Sequence, residues 1–166
     1  MALLLLLAIP LAGSFALAAF GARRWAAELN AAFSIATFAA ACALTARVIA
    51  EGPMLVAHEQ FFVDPFNVFL IALTAFVGMT TSLFSRPYMR VEEAHGRVNG
   101  RRLRLYHSMY QLFCFTMLAA LSTNNLGILW VAMEAATLST VLLVSLYRTA
   151  ASIEAAWKYF ILCGVG

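Results

Sequence analysis

The sequence predicts an all-α protein: a polytopic transmembrane helical bundle of about five full spans plus a truncated sixth, with the N-terminus outside. Three observations carry this. Of the 166 residues, 63% are hydrophobic and 11% charged, where a water-soluble domain is nearer half and a quarter. The apolar residues gather into runs close to the ~20 residues needed to cross a hydrocarbon core. The basic residues fall in alternate loops between those runs.

The runs are 2–20, 31–49, 65–83, 106–121 and 126–146. The first is expected to be a transmembrane helix and not a signal peptide, because its positive charge (Arg23, Arg24) follows the apolar stretch instead of preceding it. The third opens on Asp64-Pro65, an acid suited to capping and a proline suited to the first helical position. Asn124 and Asn125 make a tight polar turn, so the fourth and fifth helices are expected to be antiparallel neighbours. Ser152 is expected to cap a further helix, with Glu154 in its first turn. Twelve or so residues of that helix reach only ~18 Å, short of the ~30 Å core. A chain ending there would leave carbonyls and a carboxylate in lipid, so a longer protein is expected.

Charge fixes the expected orientation. Ten of the eleven basic residues follow the first, third and fifth runs, and only Arg47 lies at the opposite ends, where its side chain can snorkel. That makes the basic side cytoplasmic. The loop MLVAHEQFFVD (54–64) on the other side has the residues of a short hairpin. The basic loop (86–107) is expected to lie polar and irregular on the membrane surface, and its RRLR run offers charge to anionic lipid or to an acidic partner. A net charge of +3 is explained by this topology, and nucleic-acid binding is not expected.

Cys42, Cys114 and Cys163 are odd in number, widely spaced and set in apolar runs, which reads as packing and not as a disulfide or metal framework. His58, His95 and His107 do not pair at similar depth as a membrane haem would require. No phosphate-cradling glycine loop or nucleophile elbow is present in the sequence. No cofactor, metal site or catalytic residue is expected from this chain.

Glu134 is the exception to an otherwise apolar run. It lies ~12 Å from the Asn125 end and ~18 Å from the Leu146 end, near the bilayer midplane. A carboxylate there costs about 3 kcal/mol on insertion scales, so a use for it is expected. Thr137 shares its face, as does Ser145, while Leu129, Val131 and Leu138 are assigned to the opposite side. Such a polar stripe suits a proton relay, and a hydrogen-bonded carboxyl that packs helices is the alternative. Lys158 is the only ammonium leaning into the membrane. By helix rise it sits ~14 Å nearer the basic end, too far for a direct pair. It either feeds protons through water or snorkels at the interface.

RPYMR (86–90), the stretch from LRLYHSMYQLF to LLVSLYRT (103–149), SIEAAWKYFILCGVG (152–166) and FFVDPFNVF (61–69) together resemble the N-terminal part of the complex I-like, Mrp-type antiporter subunits. The likeness is nearest to hydrogenase-4 component F, the membrane subunit of formate hydrogenlyase-type complexes, related to NADH-quinone oxidoreductase chains M, L and N. It is good from about Phe61 to Gly166 and only architectural before that. It implies a fold of about fourteen helices with two inverted five-helix repeats. Residues 1–104 would hold helices one to three and the basic loop, and residues 105–166 the start of the proton-conducting repeat.

The resemblance also implies roles. Glu134 matches a helix-five glutamate that pairs with a helix-seven lysine to gate protons, and Lys158 matches a lysine at the start of helix six. The helix-seven lysine and the second repeat are absent from this sequence, so the stretch alone is not expected to conduct protons. Implied partners are the lipid bilayer and the other membrane and peripheral subunits of a hydrogenase or complex I-like assembly, whose redox centres would do the chemistry. The implied location is a bacterial or archaeal cell membrane. A multi-subunit monovalent cation/proton antiporter and a non-transporting assembly piece are the other readings.

Overall fold

The computed structural model describes residues 2–165. They form α1 (Ala2–Phe20), α2 (Ala26–Glu51), β1 (Met54–Val56), β2 (Phe61–Val63), α3 (Pro65–Ala94), α4 (Gly100–Ser122), α5 (Leu126–Val144), a 3₁₀ turn (Ser145–Tyr147) and α6 (Ala150–Val165). Helices α1 to α4 close into a ring, each touching the next and α4 returning to α1. α5 packs on α4, and α6 on α5. Four helices, α1, α2, α3 and α5 with its 3₁₀ extension, are long and apolar enough to cross a membrane. Their outer faces are apolar as well: Phe15, Ile49, Phe66, Phe84 and Leu126 are each at least 70% exposed, a surface suited to lipid.

Close approach of the helices depends on small residues. A Cβ at Gly13 of α1 would stand 2.9 Å from the Phe33 ring of α2, and one at Gly21 would stand 2.9 Å from the Arg104 backbone of α4. The buried face of α1 follows helical periodicity through Leu3, Leu7, Pro10, Ser14 and Leu17. Its N-terminal leucines join Leu44, Val48, Ile71 and Leu118 in an apolar core.

The expected hairpin is present, with Met54 opposite Val63 and Val56 opposite Phe61. Asp64 caps α3 as predicted: its carboxylate accepts from the amides of Phe66 and Asn67, while Asn67 Oδ1 accepts from the Asp64 amide at 2.8 Å. The Asn124-Asn125 turn is held by this hairpin. Gln60 O accepts from the Asn124 amide at 2.7 Å, and Gln60 Oε1 accepts from Asn125 Nδ2 at 2.7 Å.

Three local expectations are corrected. The basic loop is mostly helix: α3 runs past Pro87 to Ala94 and α4 starts at Gly100, leaving residues 95–99 between them. Proline removes one helical donor, and tertiary partners outweigh that loss. Arg86 and Arg90 pair with Glu28 of α2, Tyr88 hydroxyl meets that of Tyr147 at 3.1 Å, and buried Glu92 accepts from Arg97 at 2.9 Å. The cap of α6 belongs to Thr149, not Ser152. Thr149 Oγ1 accepts from the Ser152 amide and Ser152 Oγ from the Thr149 amide, a reciprocal pair, so Glu154 falls beyond the first turn. Cys42 and Cys163 are exposed, and only Cys114 packs; all three are free thiols.

Arg47 pairs with Glu51 one turn on, at 3.0 Å. The other loop arginines gather at the opposite end of the bundle from the hairpin, where Arg104 lies on Gly21 and Arg148 shares a cavity with Arg101. If that end is cytoplasmic, alkaline phosphatase fused after Glu59 is active in cells and the same enzyme fused after Gly96 is inactive. The reverse pattern would invert the orientation.

Candidate functional site

Glu134 is carried by α5, whose start is fixed by Asn125: its side-chain oxygen accepts from the amides of Gly127 and Ile128 at 2.8 and 3.3 Å. The buried seam of α5 against α4 is Ala132, Ala136 and Ser139. Glu134 lies on the other side of the helix, half-buried. Leu138, Val141 and Ser145 follow it at four, seven and eleven residues, in one stripe. Those three residues face Ile153, Ala156, Trp157 and Phe160 of α6 across a groove of about 380 Å³. Glu134 therefore heads the stripe that α6 covers, one turn beyond the groove. Leu138 belongs to this stripe and not to the opposite side, because a separation of four residues keeps side chains on one face.

Among the described residues, the Glu134 carboxyl has no ion pair within 4.0 Å; the five pairs present involve other acids. Thr137 lies one turn on, and its hydroxyl donates to Met133 O at 3.2 Å, as Ser145 does to Leu142 O at 3.2 Å. Both hydroxyls keep lone pairs to accept with. Lys158 is placed elsewhere. Its ammonium pairs with Glu154 one turn back, both side chains more than 60% exposed. It is not among the α6 residues that line the groove towards α5. The structure thus keeps Glu134 and Thr137 together on α5 and sets Lys158 apart.

A second polar assembly went unread in the sequence. Gln111 of α4 is 1% exposed, and its amide nitrogen donates to Asn30 Oδ1 at 2.8 Å and to Ser34 Oγ at 2.9 Å. Asn30 in turn donates to Ser82 Oγ of α3 at 3.2 Å. Ser14 of α1 and Ser108 of α4 exchange bonds, each hydroxyl donating to the other's carbonyl at 3.0 and 3.1 Å. One seam therefore ties α1, α2, α3 and α4 together. A pocket of about 10 Å³ lies beside Gln111 among Ser34, Thr37 and Thr74, near the space that one water needs. The available signal was Gln111 itself, a lone amide inside the run 106–121.

His107 is buried, whereas His58 and His95 are exposed. Among the described residues, no group of three or more His, Cys, Asp or Glu is arranged to hold a metal ion.

The chain is 44% identical over 157 residues to a protein of Methylacidiphilum infernorum (isolate V4) named hydrogenase-4 component F homolog. The match covers 95% of this chain and 32% of that protein. The chain is similar to hydrogenase-4 component F over nearly its whole length. The resemblance read from its residues is borne out, and it extends ahead of Phe61, since residues 61–166 cannot hold 157 matched positions. The chain spans about a third of the relative's length. No family model matches the chain. With this relative and its apolar helices, the chain is a membrane-embedded helical bundle.

The polar seam yields a stability prediction. Gln111→Leu leaves buried Asn30 Oδ1 without its donor and should cost about 1–2 kcal/mol of unfolding free energy in detergent. Adding Asn30→Leu should cost less than the sum of the two single changes, because the stranded partner is then gone. Strict additivity would show that the two side chains do not act as a unit.

Proposed function

We propose that the chain is the N-terminal part of a proton-translocating membrane subunit of a hydrogenase-4, formate hydrogenlyase-type complex, in a bacterial or archaeal cell membrane. Electron transfer takes place in partner subunits, and Glu134 is one of the carboxyls through which it is coupled to proton movement. The observation that carries this reading is a single unpaired carboxyl, half-buried midway along an apolar helix and heading the stripe that α6 covers. An ionisable group at that depth is expensive unless it is used. The similarity to a component F homolog supports the type of complex.

Within this reading, residues 105–166 begin the conducting repeat and residues 1–104 brace it. Glu134 takes up and releases the proton, and Thr137, with a free lone pair one turn away, steadies a water beside it. Lys158, held by Glu154 on the exposed side of α6, acts at a distance: it contributes positive charge near the basic end and makes no contact with Glu134. The partner that completes the gate is supplied by helices beyond residue 166.

The test uses the full-length subunit in its assembled complex in membrane vesicles. Glu134→Gln should lower proton translocation per hydrogen formed by at least about tenfold, the equivalent of 1.4 kcal/mol on a barrier. Hydrogen formation in the presence of an uncoupler should persist, and Thr137→Ala should have a smaller effect in the same direction. An unchanged proton-to-hydrogen ratio in Glu134→Gln would remove Glu134 from the path. Sodium movement in place of protons would favour the cation/proton antiporter reading.

A further inference from the structure

A cavity of about 470 Å³ opens at the basic end between α1, the first turns of α4 and the 3₁₀ turn after α5. Its rim is Arg101, Arg102, Arg104 and Arg148, contributed by two segments far apart in sequence, and no acidic residue lines it. Four like charges converging on one space repel one another. Three of them stand in the opening turns of α4, where the helix dipole is also positive and no acid is present to offset it. Of the carboxylates at this end, Glu28 holds Arg86 and Arg90, Glu92 holds Arg97 and Glu154 holds Lys158, while Glu93 lines a separate cavity with Arg23, Arg24, Arg86 and Arg90. Among the described residues, none of the four rim arginines has an acidic partner within 4.0 Å. Of the four, Arg102 alone has a bond fixing its head, from Nη1 to Arg97 O at 3.0 Å.

The wall of the same cavity is apolar. Ala18 of α1, Leu105 and Met109 of α4, and Leu146 line it below the arginines. A free inorganic anion has no use for that wall. A phospholipid does, since its phosphate meets the guanidinium groups while its glycerol and first methylenes lie on Leu105, Met109 and Leu146. Guanidinium is also the side chain best matched to phosphate oxygens, in paired hydrogen bonds.

We propose that this cavity binds the phosphate of an anionic phospholipid of the leaflet that contacts the basic end, and so seats α1, α4 and the α5–α6 turn at a fixed depth. The proposal rests on the orientation given above but not on any role of Glu134.

The experiment uses the full-length subunit in its complex, reconstituted into nanodiscs of phosphatidylcholine with a minority of phosphatidylglycerol, with retained lipid counted by native mass spectrometry. The wild type should retain phosphatidylglycerol over phosphatidylcholine by about tenfold or more beyond the bulk ratio, each arginine contributing roughly fivefold at most. Arg101→Ala/Arg104→Ala/Arg148→Ala should bring retention down to the bulk ratio, while the three Lys substitutions at the same positions should keep most of it. Equal retention by the wild type and the Ala variant would overturn the proposal, and so would displacement of the lipid by inorganic phosphate. Should the Ala variant fail to assemble, cross-linking of the wild type with a headgroup-photoreactive phosphatidylglycerol decides: adducts are expected within residues 100–109 and 146–148. Adducts elsewhere only, or an acidic subunit cross-linked to this face instead, would refute it. The phosphatase fusions after Glu59 and Gly96 separate a failure of this site from a failure of the orientation.

Discussion

A polar side chain carried into an apolar slab has to be answered by another group, and much of this structure follows from how that constraint is met. In the ring of α1 to α4 it is met internally for most of the buried groups, with Arg86 Nε, His107 Nδ1 and Gln111 Oε1 left without a partner. Gln111 bridges to Asn30 and Ser34, Asn30 to Ser82, and Ser14 to Ser108. These bonds join helices that have little hydrophobic reason to associate in lipid, where the outside is as apolar as the interface. Small residues at Gly13 and Gly21 let the backbones come close enough for the bonds to form. On α5 the constraint is not met within residues 2–165, and the unanswered group is Glu134. The contrast separates a braced four-helix base from the helix that carries the unpaired carboxyl.

The base also sets the position of that helix. At one end the hairpin holds the α4–α5 turn through Gln60, and Asn125 then starts α5. At the other end, Tyr147 meets Tyr88 of α3, and Leu146 packs with Met89, Val98 and Leu103. α5 is therefore fixed at both ends against α4, with Ala132, Ala136 and Ser139 as the seam. Its other face is left for α6. A proton-carrying group needs this kind of mounting, with a rigid support on one side and a face open to water or a gate on the other.

Much of this was legible in the sequence, for identifiable reasons. The bounds of α1, the Asp64-Pro65 cap, the hairpin and the Asn turn depend on local chemistry: apolar length, an N-cap acid, β-prone residues and short polar side chains. The extensions of α3 and α4 through the basic loop were not legible, because charged residues in a helix and in a loop look alike until their partners are known. Glu28, Glu92 and Tyr147 are those partners, and only Glu92 lies near in sequence to the segment it holds. At the site, depth and spacing single out Glu134 and Thr137 as candidates on α5. Helix rise puts Lys158 too far from Glu134 for a direct pair, and its ammonium bonds Glu154 instead. The face of α5 turned to α6 was misread at Leu138, and the Gln111 seam was passed over because a single amide leaves no periodic trace.

A Glu134 that serves the proposed proton path stands on a face reached by water inside the protein and not on one sealed by lipid. Cysteine substitution tests this directly: Glu134→Cys in the full-length subunit in native membranes, all other cysteines replaced by serine, treated with a small water-soluble thiol reagent. Modification is expected at 134, slower than at a loop position but measurable, and none at Ala136→Cys in the buried seam. Complete inertness at 134 under conditions that label the loops would contradict it.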